Sequence, residues 1–108
     1  MALNMLAPFE FVVYQAISIA GQKAPIGIVQ SIIKERINID LGYQEIHMVM
    51  MRGIGKGLLR LEKVPYNRYP ETRHRCGYTL TPPGRRLLKR TQKLLGKIQG
   101  ENGNLPSQ

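Results

Sequence analysis

The sequence predicts a helix-rich α+β domain with four helices and one hairpin, and three observations carry that prediction. Apolar residues recur at helical spacing over three stretches before Gly57. Two short β-prone segments, Leu58 to Val64 and Tyr78 to Leu80, then flank the thirteen residues Pro65 to Gly77. Thr81-Pro82 follows, a hydroxyl residue before a proline, which marks a helix start. Three helices, a strand, a long basic loop, a return strand and a last helix form the order of a winged helix-turn-helix. The fold class is mainly α, with a three-helix core, a two- to three-stranded wing and a C-terminal helix.

Phe9 to Ala20 carries apolar residues at 9, 12, 13, 16, 17 and 20, the face of a first helix that Gly21 ends. Pro25 suits the first turn of a second helix, Ile26 to Arg36, before Ile37 to Gly42 breaks the pattern with turn formers. Tyr43 to Lys56 is the third helix, with Ile46, Val49, Met50 and Ile54 on one side. Tyr43, Gln44, His47, Met48, Met51, Arg52 and Gly55 lie largely opposite. Gly53 and Gly55 weaken its last turn by about 1 kcal/mol each relative to alanine. Gly57 closes it, because a residue free to take positive φ ends helices at low steric cost. The strand Leu58 to Val64 alternates Leu59, Leu61 and Lys63 against its other face. The fourth helix runs from Thr81 or Pro82 to about Gln99, where Gly100 ends it. Residues 1–100 make one domain, with 81–99 as its dimerisation helix and 101–108 as a polar, disordered tail.

The 108 residues carry a formal charge of +9, and its distribution decides more than its sum. Met1 to Met51 carries a net −1, whereas Arg52 to Lys97 carries +11. A basic half on a near-neutral half predicts one face that meets a polyanion. The longest uncharged run, Phe11 to Gln22, is shorter than the ~20 residues a bilayer requires. The start of the chain lacks the basic opening of a secretory signal, so a cytoplasmic location is expected. The single cysteine, Cys76, has no intrachain partner for a disulfide.

A helix-turn-helix presents its second helix to base edges in a major groove ~12 Å wide. The candidate contacts on the third helix are Tyr43, Gln44, His47, Met48, Met51, Arg52 and Lys56. Gln44 matches the paired hydrogen-bonding edge of adenine, and Arg52 or Lys56 matches guanine or phosphate. Glu45 either accepts from cytosine or turns back toward the preceding turn. Arg68, Arg73, His74 and Arg75 sit on the long loop, where a cationic hairpin tracks the backbone or enters the minor groove. Tyr66 and Tyr69 stack on sugars or pack the base of that hairpin.

Other chemistries find little support. His74 and Cys76 lack the further pair that zinc requires, so no metal or cofactor is expected. Cys76 is either inert or a redox-sensing thiol. Met48, Met50 and Met51 pack the core or line a pocket, which leaves room for a small-molecule effector. No paired carboxylates, Ser-His-Asp pattern or P-loop appears, so no enzymatic activity is expected. Gly53-Ile54-Gly55-Lys56-Gly57 is glycine-rich but follows a helix and lacks the Lys-Ser/Thr ending.

Leu87, Thr91, Leu94 and Ile98 step by 4, 3 and 4 along the last helix, with Leu88 and Leu95 beside them. This stripe either meets a symmetry mate or folds back on the first helix within one chain.

Three places in the chain resemble the PadR-like winged-helix transcriptional regulators. Ala24-Pro25-Ile26-Gly27-Ile28 is similar to the family's entry to helix 2, with Ile28 where Tyr is usual. Tyr43 to Leu59 is similar to its recognition helix and Gly-Leu-Leu turn. His47 and Gly53 depart from the usual Tyr and Leu. Thr72 to Arg85, with Tyr78-Thr79-Leu80-Thr81-Pro82-Pro83-Gly84-Arg85, is similar to the basic wing ending in Tyr-x-Leu-Thr-x-x-Gly-Arg. MarR-like regulators share that last motif. The resemblance covers roughly Phe9 to Arg90 and fits short-tailed members. It implies a homodimer formed through helix 4 and the N-terminal region, repressing from a two-fold operator of double-stranded DNA. Two other readings of the basic half remain: an RNA- or ribosome-associated protein, and a winged-helix module that docks an acidic protein.

Overall fold

The computed structural model describes residues 5–21, 23–63 and 76–103, the last seven by their backbone alone. Helix α1 is Pro8–Ala20, α2 is Ile26–Ile32, α3 is Tyr43–Gly55 and α4 is Pro82–Gly103. Between α3 and α4 lie the strands β1, Leu59–Lys63, and β2, Cys76–Leu80. They pair antiparallel from Leu59 with Leu80 to Lys63 with Cys76.

The helices meet around Val13, Tyr14, Ile17, Val29, Ile33, Ile46 and Met50, all essentially without solvent exposure. Leu59, Tyr78 and Leu80 close this core from the sheet, and Leu88 closes it from α4. The buried face of α1 is rotated from the one its spacing predicts. Tyr14 is in the core, and Phe9 is 55% exposed. Gly21 turns left-handed, φ 98°, and its amide bonds the Ser18 carbonyl, which ends α1 where expected.

The last turn of the second helix widens into a π-helical segment, Ile33–Ile37, which carries the helix one residue past Arg36. The Ile33 carbonyl accepts from both Asn38 and Ile39, and Asn38 takes the left-handed conformation that its short amide tolerates. Gln30 Nε2 donates to the Leu41 carbonyl at 3.2 Å and clamps the turn leading into α3.

β2 is buried from Gly77 to Leu80, and a single residue of the α1–α2 connector pairs with its outer edge. Ala24 and Tyr78 exchange both backbone hydrogen bonds, at 3.0 and 2.9 Å. Gly77 permits this approach, since a Cβ there would enter the Lys23 carbonyl. The burial of β1 does not alternate as expected: Leu59 is buried, Glu62 is half-buried and the rest is exposed. Leu61 remains 51% exposed.

Gly53 is part of the core rather than a weak point. A Cβ on it would meet the Tyr14 hydroxyl and the Leu59 side chain. That hydroxyl is buried with no hydrogen-bond partner among the described residues, and burial, with Glu10 nearby, pushes its pKa up to about 12. Tyr14→Phe should therefore be neutral or stabilise by up to about 1 kcal/mol, because it removes an unsatisfied polar group. Denaturant unfolding checks this, and a loss above about 1 kcal/mol would mean the hydroxyl has a partner.

α4 starts at the expected Thr81-Pro82. It does not stop near Gln99: Gly100 stays helical and the helix reaches Gly103. A glycine ends a helix by turning left-handed, as Gly21 does, and only carries a propensity cost otherwise.

Candidate nucleic-acid interface

Helix α3 divides as a groove-reading helix should. Ile46, Val49, Met50 and Gly53 are buried against α1 and α2, which fixes the helix rigidly from behind. Tyr43, Gln44, Met48, Met51 and Arg52 are exposed and His47 is half-buried. The Tyr43 and His47 rings lie parallel, with planes 7° apart and centroids 6.4 Å apart. One turn of helix separates the two, so they form a flat aromatic edge at the start of α3.

Glu45, the one acid among these positions, is taken out of the interface. Its carboxylate accepts the Gly42 amide at 2.6 Å and caps the helix. Of the two roles open to it, the turn-facing one is observed. The face left to a ligand thus carries Gln44, His47 and Arg52 with no free carboxylate on α3.

Lys56 has a more restricted place than its position in sequence predicts. Its ammonium pairs with Glu10 at 3.0 Å, so it ties the end of α3 to the start of α1. Glu10 also accepts the Ala7 amide at 3.0 Å. Burial alone would raise the Glu10 carboxyl; the Ala7 amide, Lys56 and Arg52 together outweigh it and hold the carboxyl below its ordinary value. The sequence signal for this contact was weak: Glu10 stands three residues after the cap position, but its partner is 46 residues away.

The three methionines separate. Met50 is core, Met51 is half-exposed, and Met48 lines an apolar groove of about 400 Å³ with Pro8, Phe9, Val49 and Arg52.

Arg68, Arg73, His74 and Arg75, with Tyr66 and Tyr69, lie outside the described residues. The strands that lead to them are described. Lys63 pairs with Cys76 at the end of the ladder, and the buried Tyr78 anchors β2. Burial raises the pKa of the Tyr78 phenol, with Tyr43 and Cys76 adding to it. Cys76 is exposed and unpaired, and no cluster of metal-binding side chains occurs among the described residues.

The stripe on α4 is split between two environments. Leu88 and Thr91 are 3% and 0% exposed within a single protomer, so neither has side-chain surface left for a second one. Thr91 Oγ1 accepts the Leu6 amide and donates to the Leu87 carbonyl, both at 2.9 Å. Gln92 Nε2 donates to Gln15 Oε1 at 2.6 Å. The first turns of α4 therefore fold back on α1. Leu87, Leu94 and Leu95 stay half-exposed, and the Ile98 side chain is outside the described residues. Leu95 borders a second apolar groove, about 360 Å³, with Met5, Leu6, Phe11 and Val12. No helix among the described residues is long and apolar enough to cross a membrane.

These elements define a winged-helix fold, and solved structures share it. F93 from STIV, a winged-helix DNA-binding protein, is 19% identical, with a TM-score of 0.68 over 82% of this chain and 87% of its own. A MarR family transcription regulator is 14% identical, with a TM-score of 0.71 over 96% of this chain and 62% of its own. BpsR of Bordetella bronchiseptica, whose DNA binding is regulated by 6-hydroxynicotinic acid, is 24% identical, with a TM-score of 0.68 over 99% of this chain and 74% of its own. No protein-family model matches the chain, and no curated protein matches it by sequence. At these identities the likeness establishes the fold and nothing finer.

Proposed function

We propose that this chain is a cytoplasmic, sequence-specific regulator of transcription that binds double-stranded DNA and acts as a homodimeric repressor on a two-fold operator. The observation that carries the reading is α3: a helix packed rigidly from behind, with Gln44, His47 and Arg52 outward and its one acid spent on the cap. The basic residues at the end of α3 and in the hairpin loop, Arg52 to Arg75, and the DNA-binding neighbours of the same fold support it. The Tyr78-Thr79-Leu80-Thr81 motif supports a PadR-like version, and the MarR family neighbour supports a broader one.

A dimer would use the surface α4 keeps free. Leu95 adjoins the groove at Phe11 and Val12, and Leu87 and Leu94 are half-exposed on the same helix, so one protomer's α4 would seat against its partner's N-terminal region. A small-molecule effector would have a seat in the groove between Phe9 and Met48.

An electrophoretic shift titration at several salt concentrations, on sequences selected from a random duplex pool, tests the reading. Gln44→Ala should relax specificity while retaining general affinity. Arg73→Ala with Arg75→Ala should weaken all sequences alike and lower the salt slope by about 2. A double variant with wild-type affinity and slope would remove the loop from the interface. A selected palindrome with half-sites about one helical turn apart would support the two-fold assembly.

A further inference from the structure

The second concentration of charge is on α4, away from the α3 face. Arg86, Lys89, Arg90 and Lys93 are all exposed. At 100° per residue they occupy the arc opposite Gly84, Leu88 and Thr91, the buried side of the helix. No acidic residue occurs between Pro82 and Gly100, and neither ion pair among the described residues involves α4. Arg86 with Arg90 and Lys89 with Lys93 are therefore like-charge neighbours four residues apart, each pair destabilising the free helix. Such a row gains most from a polyanion laid along it.

This row and α3 address different directions. α1 meets the α3 side through Glu10, which pairs with Lys56, and Tyr14, which packs at Gly53. It meets α4 through other positions: Gln15 bonds Gln92, and Phe11 packs beside Thr91 and Leu95. A duplex held by α3 would leave the outer face of α4 uncovered.

We propose that the outer face of α4, through Arg86, Lys89, Arg90 and Lys93, binds the phosphate backbone of a second DNA duplex, so that the protein bridges two segments. The inference rests on the reading of α3 as a DNA-binding helix. The face offers cations without a pattern of hydrogen-bond acceptors, with Pro83 and Leu87 at its edge, which suits backbone contact without base readout. From Arg86 to Lys93 the row spans about 10 Å along the helix, enough for about three successive phosphates of one strand at 3.4 Å of rise each.

A two-duplex capture tests this. The whole chain is added at low salt to a bead-bound duplex, and a second, fluorescent duplex is then offered. Wild type should retain both. The variant Arg86→Gln/Lys89→Gln/Arg90→Gln/Lys93→Gln should hold the bead-bound duplex within about threefold of wild type and capture about tenfold less of the second. Free of DNA, it should melt no lower than wild type, because repulsion has been removed. Wild type that holds the first duplex alone, or a variant that captures both as wild type does, overturns the inference and leaves the α3 reading intact. Wild type that retains neither duplex overturns both. Preferential capture of structured RNA in the second step overturns the assignment to DNA.

Discussion

Gly84→Ala should destabilise the fold by about 3 kcal/mol, at the upper end of the usual cost of overpacking. A Cβ at this position would enter the Leu58 carbonyl. That carbonyl is held in place: it accepts the Thr81 amide at 3.0 Å. Thr81 Oγ1 in turn donates to the Gly57 carbonyl at 2.6 Å and accepts the Gly84 amide at 3.2 Å. Gly57 itself sits at φ 75°, a conformation that suits glycine. The first turn of α4 is thus stitched to the turn between α3 and β1, and neither side has a side chain that can move away. Gly96→Ala, in the same helix, meets nothing within 4 Å and should gain up to about 1 kcal/mol from helix propensity. For a domain of this size the two changes should move the melting temperature in opposite directions, the first by more than 10 °C on the basis of about 4 °C per kcal/mol. Equal effects of the two substitutions would mean that α4 does not dock at Leu58.

Gln44→Glu should separate binding from stability by moving them in opposite directions. Gln44 is exposed in the first turn of α3, where the unpaired amides and the helix dipole favour a negative charge by a few tenths of a kcal/mol. The protein should melt at the same temperature or slightly higher. At the proposed interface the same carboxylate would face DNA phosphates and lose the amide's donor to a base. A paired base contact is worth about 1–3 kcal/mol, so affinity should fall by about 10- to 100-fold. Fluorescence anisotropy with a selected duplex measures the loss, and calorimetry measures the melt. Unchanged affinity would place position 44 outside the contact. A large drop in melting temperature would mean that Gln44 has a structural role that its exposure does not show.

Much of the architecture was legible because its signals are local. The glycine at 21, the glycine at 57 and the Thr81-Pro82 pair each act on their own backbone, and each sits where it was read. The rear of α3 was legible for the same reason, since Ile46, Val49 and Met50 repeat within one helix. What the sequence left open depends on partners far along the chain. A 4-3-4 stripe shows that α4 has an apolar face, but not that Leu6, 85 residues away, covers Thr91. Gly53 looks like a helix weakness until Tyr14 and Leu59 are seen against it. Lys56 stands in sequence as a DNA contact, and its pairing with Glu10 at 3.0 Å is a further role that no local signal announces. Leu61 alternates correctly and still lies exposed, because periodicity says which face a residue shares and not whether anything packs there. The basic row on α4 was counted in the total charge, and that no ion pair among the described residues reaches it emerged only with the helix in place.

Amide shift mapping on addition of a selected DNA duplex addresses the central claim most directly. The expected result is a continuous set of large changes over Tyr43, Gln44, His47, Met51 and Arg52, with the buried Ile46 and Met50 little affected. Saturation with duplex that leaves Tyr43, Gln44 and His47 unmoved would contradict α3 as the helix that reads DNA.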